Sequence, residues 1–505
     1  MFSVTIIYIK IITYGDLPIL EHDPRYMALL ILTENSQTRR PLDTILDQFS
    51  PKLDTLSKLD RSLANAIVYG TLRWQEYLDW ILQSFSDRRI ENLKSEVIYI
   101  LRIAMFQIIF MDRIPVSAAV NTAVDLAKRV SHQGTAGFVN AVLRKASTEF
   151  KDIANLQGIN SENITNLKNI SFPDVKKEPD LHISVTKSMP VWLVRKWINR
   201  FGFDKTLRLC DTINTIPPIT IRTNTLKIDR EALISIYAPD VVQIAPTNHS
   251  PDGIFFTKPS MPIHESEHFK NGLFQVQDEA AQLVTIMLDP LAGERILDAC
   301  AGLGGKTGHI AQLMNNQGTI IACDTDADKL ASLQKEMERL GVNIVQTVCK
   351  DILKSDFNDS DTFFDRVLVD APCSGMGVLR RNPDAKWKRR KKDLARLAIR
   401  QEKMLLGAAD LVKPGGTLLY SVCSCETREN EDVVESFLQQ RPDFVVKKDF
   451  NGMKKIVEIM QHQRLQASAI THKGYFRTYP DYMEMDGFFA ALMERQSTGI
   501  NTAKD

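Results

Sequence analysis

Ten residues, Asp298-Ala299-Cys300-Ala301-Gly302-Leu303-Gly304-Gly305-Lys306-Thr307, constrain the fold more than any other stretch of the chain. The apolar run 295–297 leads into them and reads as a buried first strand of an α/β sheet. The glycines permit a tight turn and a close backbone approach to a ligand. From 306 to 313 the pattern turns helical, so the exposed amides of that helix start face whatever sits above the loop. Strand, glycine turn and helix together predict a cofactor site at the carboxyl end of a strand.

The cofactor follows by elimination. Gly302-Leu303-Gly304 begins like a dinucleotide fingerprint, but Thr307 stands where the third glycine belongs. Gly305-Lys306-Thr307 ends like a phosphate-binding loop, but Cys300 holds that motif's first glycine position. Both nucleotide readings are weakened. The next predicted strand, 318–323, ends at Asp324, 26 residues after Asp298, a spacing that suits a carboxylate accepting both hydroxyls of a ribose. Acid, glycine turn and ribose acid together suit S-adenosylmethionine.

Bulk properties bound the rest. A chain of 505 residues is too long for one core, so two or three domains are expected. With 44% hydrophobic and 25% charged residues it is not disordered throughout, and a net charge of +1 means any nucleic-acid surface is a local patch. All seven cysteines follow residue 200 and cluster at predicted strand ends, a reduced, cytosolic pattern rather than a disulfide framework. The apolar opening 2–14 carries Lys10 and lacks both a basic leader and a small-residue cleavage site, so it is read as neither export signal nor anchor. Met27 is a second candidate start.

Apolar residues recur at helical spacing over 26–33, 61–83, 97–111, 118–130 and 136–146, which predicts an all-α bundle from about 22 to 150. Asp60-Arg61-Ser62-Leu63-Ala64, Tyr69-Gly70-Thr71-Leu72-Arg73, Ile114-Pro115-Val116-Ser117-Ala118-Ala119-Val120-Asn121 and Gly137-Phe138-Val139-Asn140-Ala141-Val142-Leu143-Arg144 resemble the NusB family of RNA-binding antitermination factors. Asparagine recurs through 151–180 and periodicity lapses, so this stretch reads as a linker. Mixed helices and strands over 181–289 suggest a small α+β module. From 290 strands and helices alternate, with strands at 343–349, 365–370 and 415–421, a long helix over 392–411 and a closing strand at 486–492.

Three further strand ends carry reactive groups: Asp351, which suits an adenine amino group; Asp370-Ala371-Pro372-Cys373-Ser374; and Tyr420-Ser421-Val422-Cys423-Ser424-Cys425. In an open sheet these loops and the glycine loop share one rim. No histidine or second cysteine pair has zinc spacing, so no metal is expected. Carbon 5 of cytosine is barely nucleophilic, but a thiolate adding to carbon 6 makes an enamine that attacks a methyl donor. An acid at ring nitrogen 3 assists the addition, a role suited to Asp370.

Residues 298–307, Asp324, Asp351, 370–374, 420–425 and 486–492 resemble the RNA cytosine-5 methyltransferases, which use two cysteines in one site. With the NusB-like front end, the chain from about residue 22 is similar to the RsmB family (also called Sun or Fmu), which methylates cytosine in 16S ribosomal RNA. The resemblance implies Cys423 as nucleophile and Cys373 in product release. It implies cofactor contacts from Cys300, Ala301, Gly302, Leu303, Gly304, Gly305, Lys306, Asp324, Asp351 and Asp370. Asn430 and Asn382-Pro383-Asp384-Ala385-Lys386-Trp387 also look like family motifs. Gly302-Leu303 stands where the family usually has alanine-proline, and Val422 where it has threonine.

Residues 380–392 hold eight basic residues and Trp387. Beside a base-modifying site this run suggests phosphate binding and base stacking by Arg380, Arg381, Lys386 and Trp387. The expectation is therefore a multidomain, cytoplasmic, monomeric enzyme: extension 1–21, all-α NusB-like RNA-binding bundle 22–150, linker 151–180, α+β module 181–289 and Rossmann-like α/β methyltransferase domain 290–496. Two rivals have discriminating features. A DNA cytosine-5 methyltransferase would use the Pro-Cys cysteine, Cys373, and has no need of Cys423 or the bundle. A non-catalytic assembly factor has no need to keep Cys373, Cys423 and Asp370.

Overall fold

A computed structural model describes residues 22–130, 133–154, 170–354, 363–461 and 473–497. The extension 1–21 and most of the linker lie outside the described residues. The chain forms two compact units, one up to Val191 and one from Trp192 onward.

Among its described residues the first unit has helices as its regular elements. Helix Ser95–Phe110 is its centre, because apolar residues surround it: Ile100, Leu101, Ala104 and Met105 are all fully buried. Its one deep charge, Arg102, bonds both oxygens of Asp79, at 2.7 and 2.6 Å. The helix expected over 61–83 is two, Lys58–Arg73 and Gln75–Phe85. Trp74 leaves helical geometry between them (φ −110°, ψ 18°), and its ring stacks on Phe110 with centroids 4.8 Å apart. Residues from 181, assigned by sequence to the small module, begin inside helix Pro179–Thr186, which belongs to this unit, where Ser188 Oγ accepts the Glu76 N–H at 3.0 Å.

The second unit holds two sheets. In the smaller, β1 (Ile219–Thr223), β2 (Gln243–Pro246), β3 (Gly253–Thr257) and β4 (Phe274–Val276) pair antiparallel in the order β2-β3-β1-β4. Its core is Ile221, Leu233, Tyr237, Ile254, Phe256 and Phe274.

The larger sheet comprises β5 (Arg295–Asp298), β6 (Thr319–Asp324), β7 (Val345–Cys349), β8 (Phe364–Asp370), β9 (Val412–Val422), β10 (Phe444–Val446), β11 (Phe476–Arg477) and β12 (Phe489–Arg495). Its order is β10-β12-β9-β8-β5-β6-β7, with β11 paired to β12. The pairs β9-β8, β8-β5, β5-β6 and β6-β7 are parallel, and β12 is antiparallel to β9. Strand order reverses between β5 and β8, so the crevice above those carboxyl ends is the topological switch point where ligands bind. Helix Glu279–Leu288, assigned by sequence to the small module, buries its apolar face in this sheet's core with Ile296 and Leu419.

The closing strand starts at Phe489, not Asp486. Gly487 instead lies against the reactive loops. Its N–H donates to Gly377 O at 2.8 Å, and a Cβ on Gly377 would collide with its carbonyl.

Candidate active site

The glycine loop is held from below and open above. Gly302 (φ +53°) and Gly304 (φ +86°) take the left-handed conformation that makes the turn. Buried Asp298 accepts the Thr307 hydroxyl at 2.7 Å and the Cys300 N–H at 3.4 Å. Burial pushes its carboxyl up to about 6, and pushes the Cys300 thiol well up, so Cys300 stays protonated. Ala301 N–H donates to Cys323 O at 2.9 Å, tying the loop to β6. Asp324, at the end of β6, accepts Gly302 N–H and Asp326 N–H, one per oxygen, each at 3.0 Å. Each oxygen thus keeps a second lone pair. A Cβ at Gly302 would meet nothing within 4 Å, and Leu303 is 63% exposed. Open space over a glycine turn, bounded by a carboxylate with acceptor capacity left, fits an S-adenosylmethionine ribose. Asp351, just past β7, accepts Leu353 N–H at 3.1 Å.

Across the switch point, Lys306 turns from the loop toward β8. Its Nζ bonds Asp370 Oδ2 at 2.6 Å, while Ser421 donates to Asp370 Oδ1 at 2.6 Å. Burial pulls the Lys306 ammonium down, but attraction to Asp370 outweighs it and the net shift is upward. Lys306 therefore carries a proton beside an oriented carboxylate.

Cys373 and Cys423, at the ends of neighbouring β8 and β9, meet with Sγ atoms 2.9 Å apart as free thiols. The hydrogen bond with Cys423, then burial, raises the Cys373 thiol well above its ordinary range. Cys373 thus keeps its proton beside Cys423. Cys425, by contrast, is buried, and burial pushes it to about 12; it packs against Gly487.

Two carboxylates that sequence reading passed over shape these loops. Glu426, fully buried, accepts the Trp197 indole N–H at 2.9 Å and pairs with Lys196. Glu429, equally buried, bonds Ser374 N at 2.8 Å and Ser424 Oγ at 2.7 Å. The only signal in the sequence was that both follow Cys423 closely.

The basic run needs correcting. Lys386 is fully buried, with Nζ on Asn214 Oδ1 at 2.7 Å, so it is structural and does not reach RNA. Arg381 is committed to Asp278 at 2.8 Å and Asp486 at 2.7 Å. Arg380 and Trp387 are half-buried. Arg389 reaches back to Ser374 O at 3.0 Å and Cys373 O at 3.3 Å. The exposed cations are Arg390, Lys391 and Lys392, with Arg396 and Arg400 following on helix Lys391–Ala409.

Among the described residues no group of three or more His, Cys, Asp or Glu side chains is placed to hold a metal ion, and no helix is long and apolar enough to cross a membrane.

Three family models match the chain: 16S rRNA methyltransferase RsmB/F over residues 285–494, the NusB family over 22–148, and an RsmF/B-like ferredoxin-like domain over 189–264. The chain is 35% identical over 446 residues to the probable ribosomal RNA small subunit methyltransferase B of Bacillus subtilis, covering 88% of this chain and 93% of that protein. It is 32% identical over 471 residues to the Synechocystis protein of the same name, covering 93% and 99%. The crystal structure of PH0851 superposes with a TM-score of 0.74 at 26% identity, covering 93% of this chain and 98% of that one.

Proposed function

The chain belongs to the RsmB/F family of 16S rRNA methyltransferases, and on that premise we propose that it transfers a methyl group from S-adenosylmethionine to carbon 5 of a cytosine in 16S ribosomal RNA. The observation that carries the carbon 5 chemistry is the pair of free thiols, Cys373 and Cys423, meeting at the strand ends beside Lys306 and Asp370.

Residues 300–305, with Asp324 and Asp351, hold the cofactor, which supplies an electrophilic methyl group when bound. The target base leaves its stack to enter the crevice. Cys423 adds to carbon 6 as the thiolate, and the C5–C6 electron pair moves toward carbon 5 as the Sγ–C6 bond forms. Asp370 is the group for ring nitrogen 3, and Lys306, bonded to it, supplies the proton that an acid there requires. Once Cys423 is bonded to carbon 6, its hydrogen bond with Cys373, the largest cause of that thiol's upward shift, is gone. Cys373 then gives its proton to solvent and, as the thiolate, takes the one on carbon 5. The freed electron pair restores the ring double bond and expels the Cys423 thiolate. Exposed Arg390, Lys391 and Lys392 bind the phosphates near the entrance, and the NusB-like bundle adds RNA affinity.

The test is a denaturing gel of single-cysteine variants incubated with 16S rRNA and methyl donor. Cys423→Ala should show no protein–RNA adduct and no turnover. Cys373→Ala should methylate and then stall with RNA attached, giving a slow band that nuclease removes. Accumulation in Cys423→Ala alone would reverse the two roles. Full activity in both variants would remove covalent catalysis.

A further inference from the structure

Glu429 lies in the short turn Thr427–Glu429 and is fully buried. Its Oε1 accepts Ser374 N–H at 2.8 Å and Gln401 Nε2 at 3.0 Å. Its Oε2 accepts the Ser424 hydroxyl at 2.7 Å and the Ser374 hydroxyl. All four donors are uncharged. Ser374 directly follows Cys373 and Ser424 directly follows Cys423. One carboxylate therefore bridges the residues next to both thiols.

The surroundings brace that bridge. Gln401 Nε2 also donates to Pro372 O at 3.0 Å, on the other side of Cys373. Tyr420 OH donates to the Glu429 backbone carbonyl at 2.6 Å, and Asn430 Nδ2 to Ser424 O at 3.1 Å. Burying a carboxylate with no cation partner is costly unless its lone pairs are filled, and here four donors fill them. Packing alone gives no reason for an acceptor-only group at this point, whereas holding two loops of donors in one register does.

We propose that Glu429 is a positioning residue that sets Cys373 against Cys423, and that it serves release of the methylated RNA more than addition. This rests on the two-cysteine reading above. Of the four donors to its carboxylate, Ser374 N and Ser374 Oγ are on the Cys373 loop and Gln401 also holds Pro372 O there, while only Ser424 Oγ follows Cys423, so the Cys373 loop loses most when Glu429 is removed. Each backbone keeps one further anchor, Gly377 N–H on the Cys423 carbonyl at 3.0 Å and Arg389 on the Cys373 carbonyl at 3.3 Å, so the difference between the two lies in the Glu429 contacts. Release is the step that needs both sulfurs. A proton leaves carbon 5 for the Cys373 thiolate, its electron pair restores the C5–C6 double bond, and the Cys423 Sγ–C6 bond breaks with its pair returning to sulfur.

The experiment uses the full chain, 16S rRNA and S-adenosylmethionine, and reads three quantities: methyl groups transferred in a single turnover, trapped adduct, and multiple-turnover rate. Glu429→Ala should keep single-turnover transfer within a few-fold of the unaltered chain, accumulate adduct, and slow multiple turnover by roughly tenfold or more. Ser374→Ala, a smaller cut that spares the carboxylate, should stall in the same direction, so the outcome does not depend on Glu429→Ala folding. Glu429→Gln should largely restore release, because its oxygen still accepts Ser374 N–H while its NH2 donates to the two hydroxyls. Equal loss in single and multiple turnover, or normal release in Ser374→Ala, overturns the proposal, as does a Glu429→Gln stall as deep as that of alanine. Cys373→Ala run in parallel separates the two failures. If it traps no adduct, the two-cysteine reading has failed; if it traps adduct while Glu429→Ala and Ser374→Ala release normally, only the positioning role has.

Discussion

Replacing Asp324 with alanine should nearly abolish cofactor binding. Its two oxygens each accept one loop N–H at 3.0 Å, and a carboxylate has about four lone-pair sites, so about two remain for a ribose diol. Hydrogen bonds to a charged acceptor contribute about 1.5–3 kcal/mol each. Losing two, about 3–6 kcal/mol, weakens binding roughly 10²- to 10⁴-fold. The upper end is favoured because Gly302, at φ +53°, also loses the anchor that holds its turn. Asp324→Asn keeps one acceptor oxygen and should fall between, at about ten- to a hundredfold. Calorimetric titration of the full chain with S-adenosylmethionine reads all three. Asp326→Ala is the control. It removes the cap on helix Ala327–Leu340, whose Asp328 and Lys329 N–H groups it accepts at 3.1 and 3.2 Å. That should cost about 1 kcal/mol of stability and leave the dissociation constant alone. An Asp324→Ala constant within about threefold of the unaltered chain, or an equal loss in Asp326→Ala, would refute the ribose assignment.

Other outcomes follow from the same geometry. Burial raises the Asp298 carboxyl from 3.8 to about 6, so its contribution to stability is fully present below pH 3.8 and is lost as pH rises through 6. Relative to Asp298→Asn, the unaltered chain should therefore lose about 3 kcal/mol between about pH 4 and 7, read as a double difference of urea midpoints; parallel curves would count against it. Lys386→Met should lower stability and spare RNA affinity. Lys391→Glu with Lys392→Glu should do the reverse, with the salt slope of RNA binding reduced by about 2; the opposite pattern would restore Lys386 to the interface. A chain beginning at Val191 should keep its cofactor affinity and bind 16S rRNA more weakly; equal RNA affinity would leave the first unit a structural role.

Much of the site was legible because its information is local. A glycine pair after an apolar run, with a carboxylate at the end of the next strand, specifies a turn and a helix start within ten residues. The parallel sheet then brings such strand ends to one rim whatever lies between them. That is why Asp324, Asp370, Cys373 and Cys423 could be placed on one rim by position alone, and why the helices of the first unit were visible in their apolar spacing. The break at Trp74 was not visible, since residues 61–83 keep helical periodicity across it and the ring that Trp74 stacks on comes from Phe110.

What only tertiary structure decided concerns charges whose partners are far away in sequence. Lys386 reads as one cation in a solvated run, but its partner Asn214 lies 172 residues earlier and both side chains are buried. Arg381 is 103 residues from Asp278 and 105 from Asp486, and between those carboxylates it becomes a strut rather than an RNA contact. Glu429 is 55 residues from Ser374, and its closeness to Cys423 along the chain does not show that it also reaches the Cys373 loop. Periodicity and turn chemistry are properties of neighbours along the backbone, so a sequence displays them. Whether a charge is buried, and which donors fill its lone pairs, depends on which distant surfaces meet, and that exists only once the chain has folded.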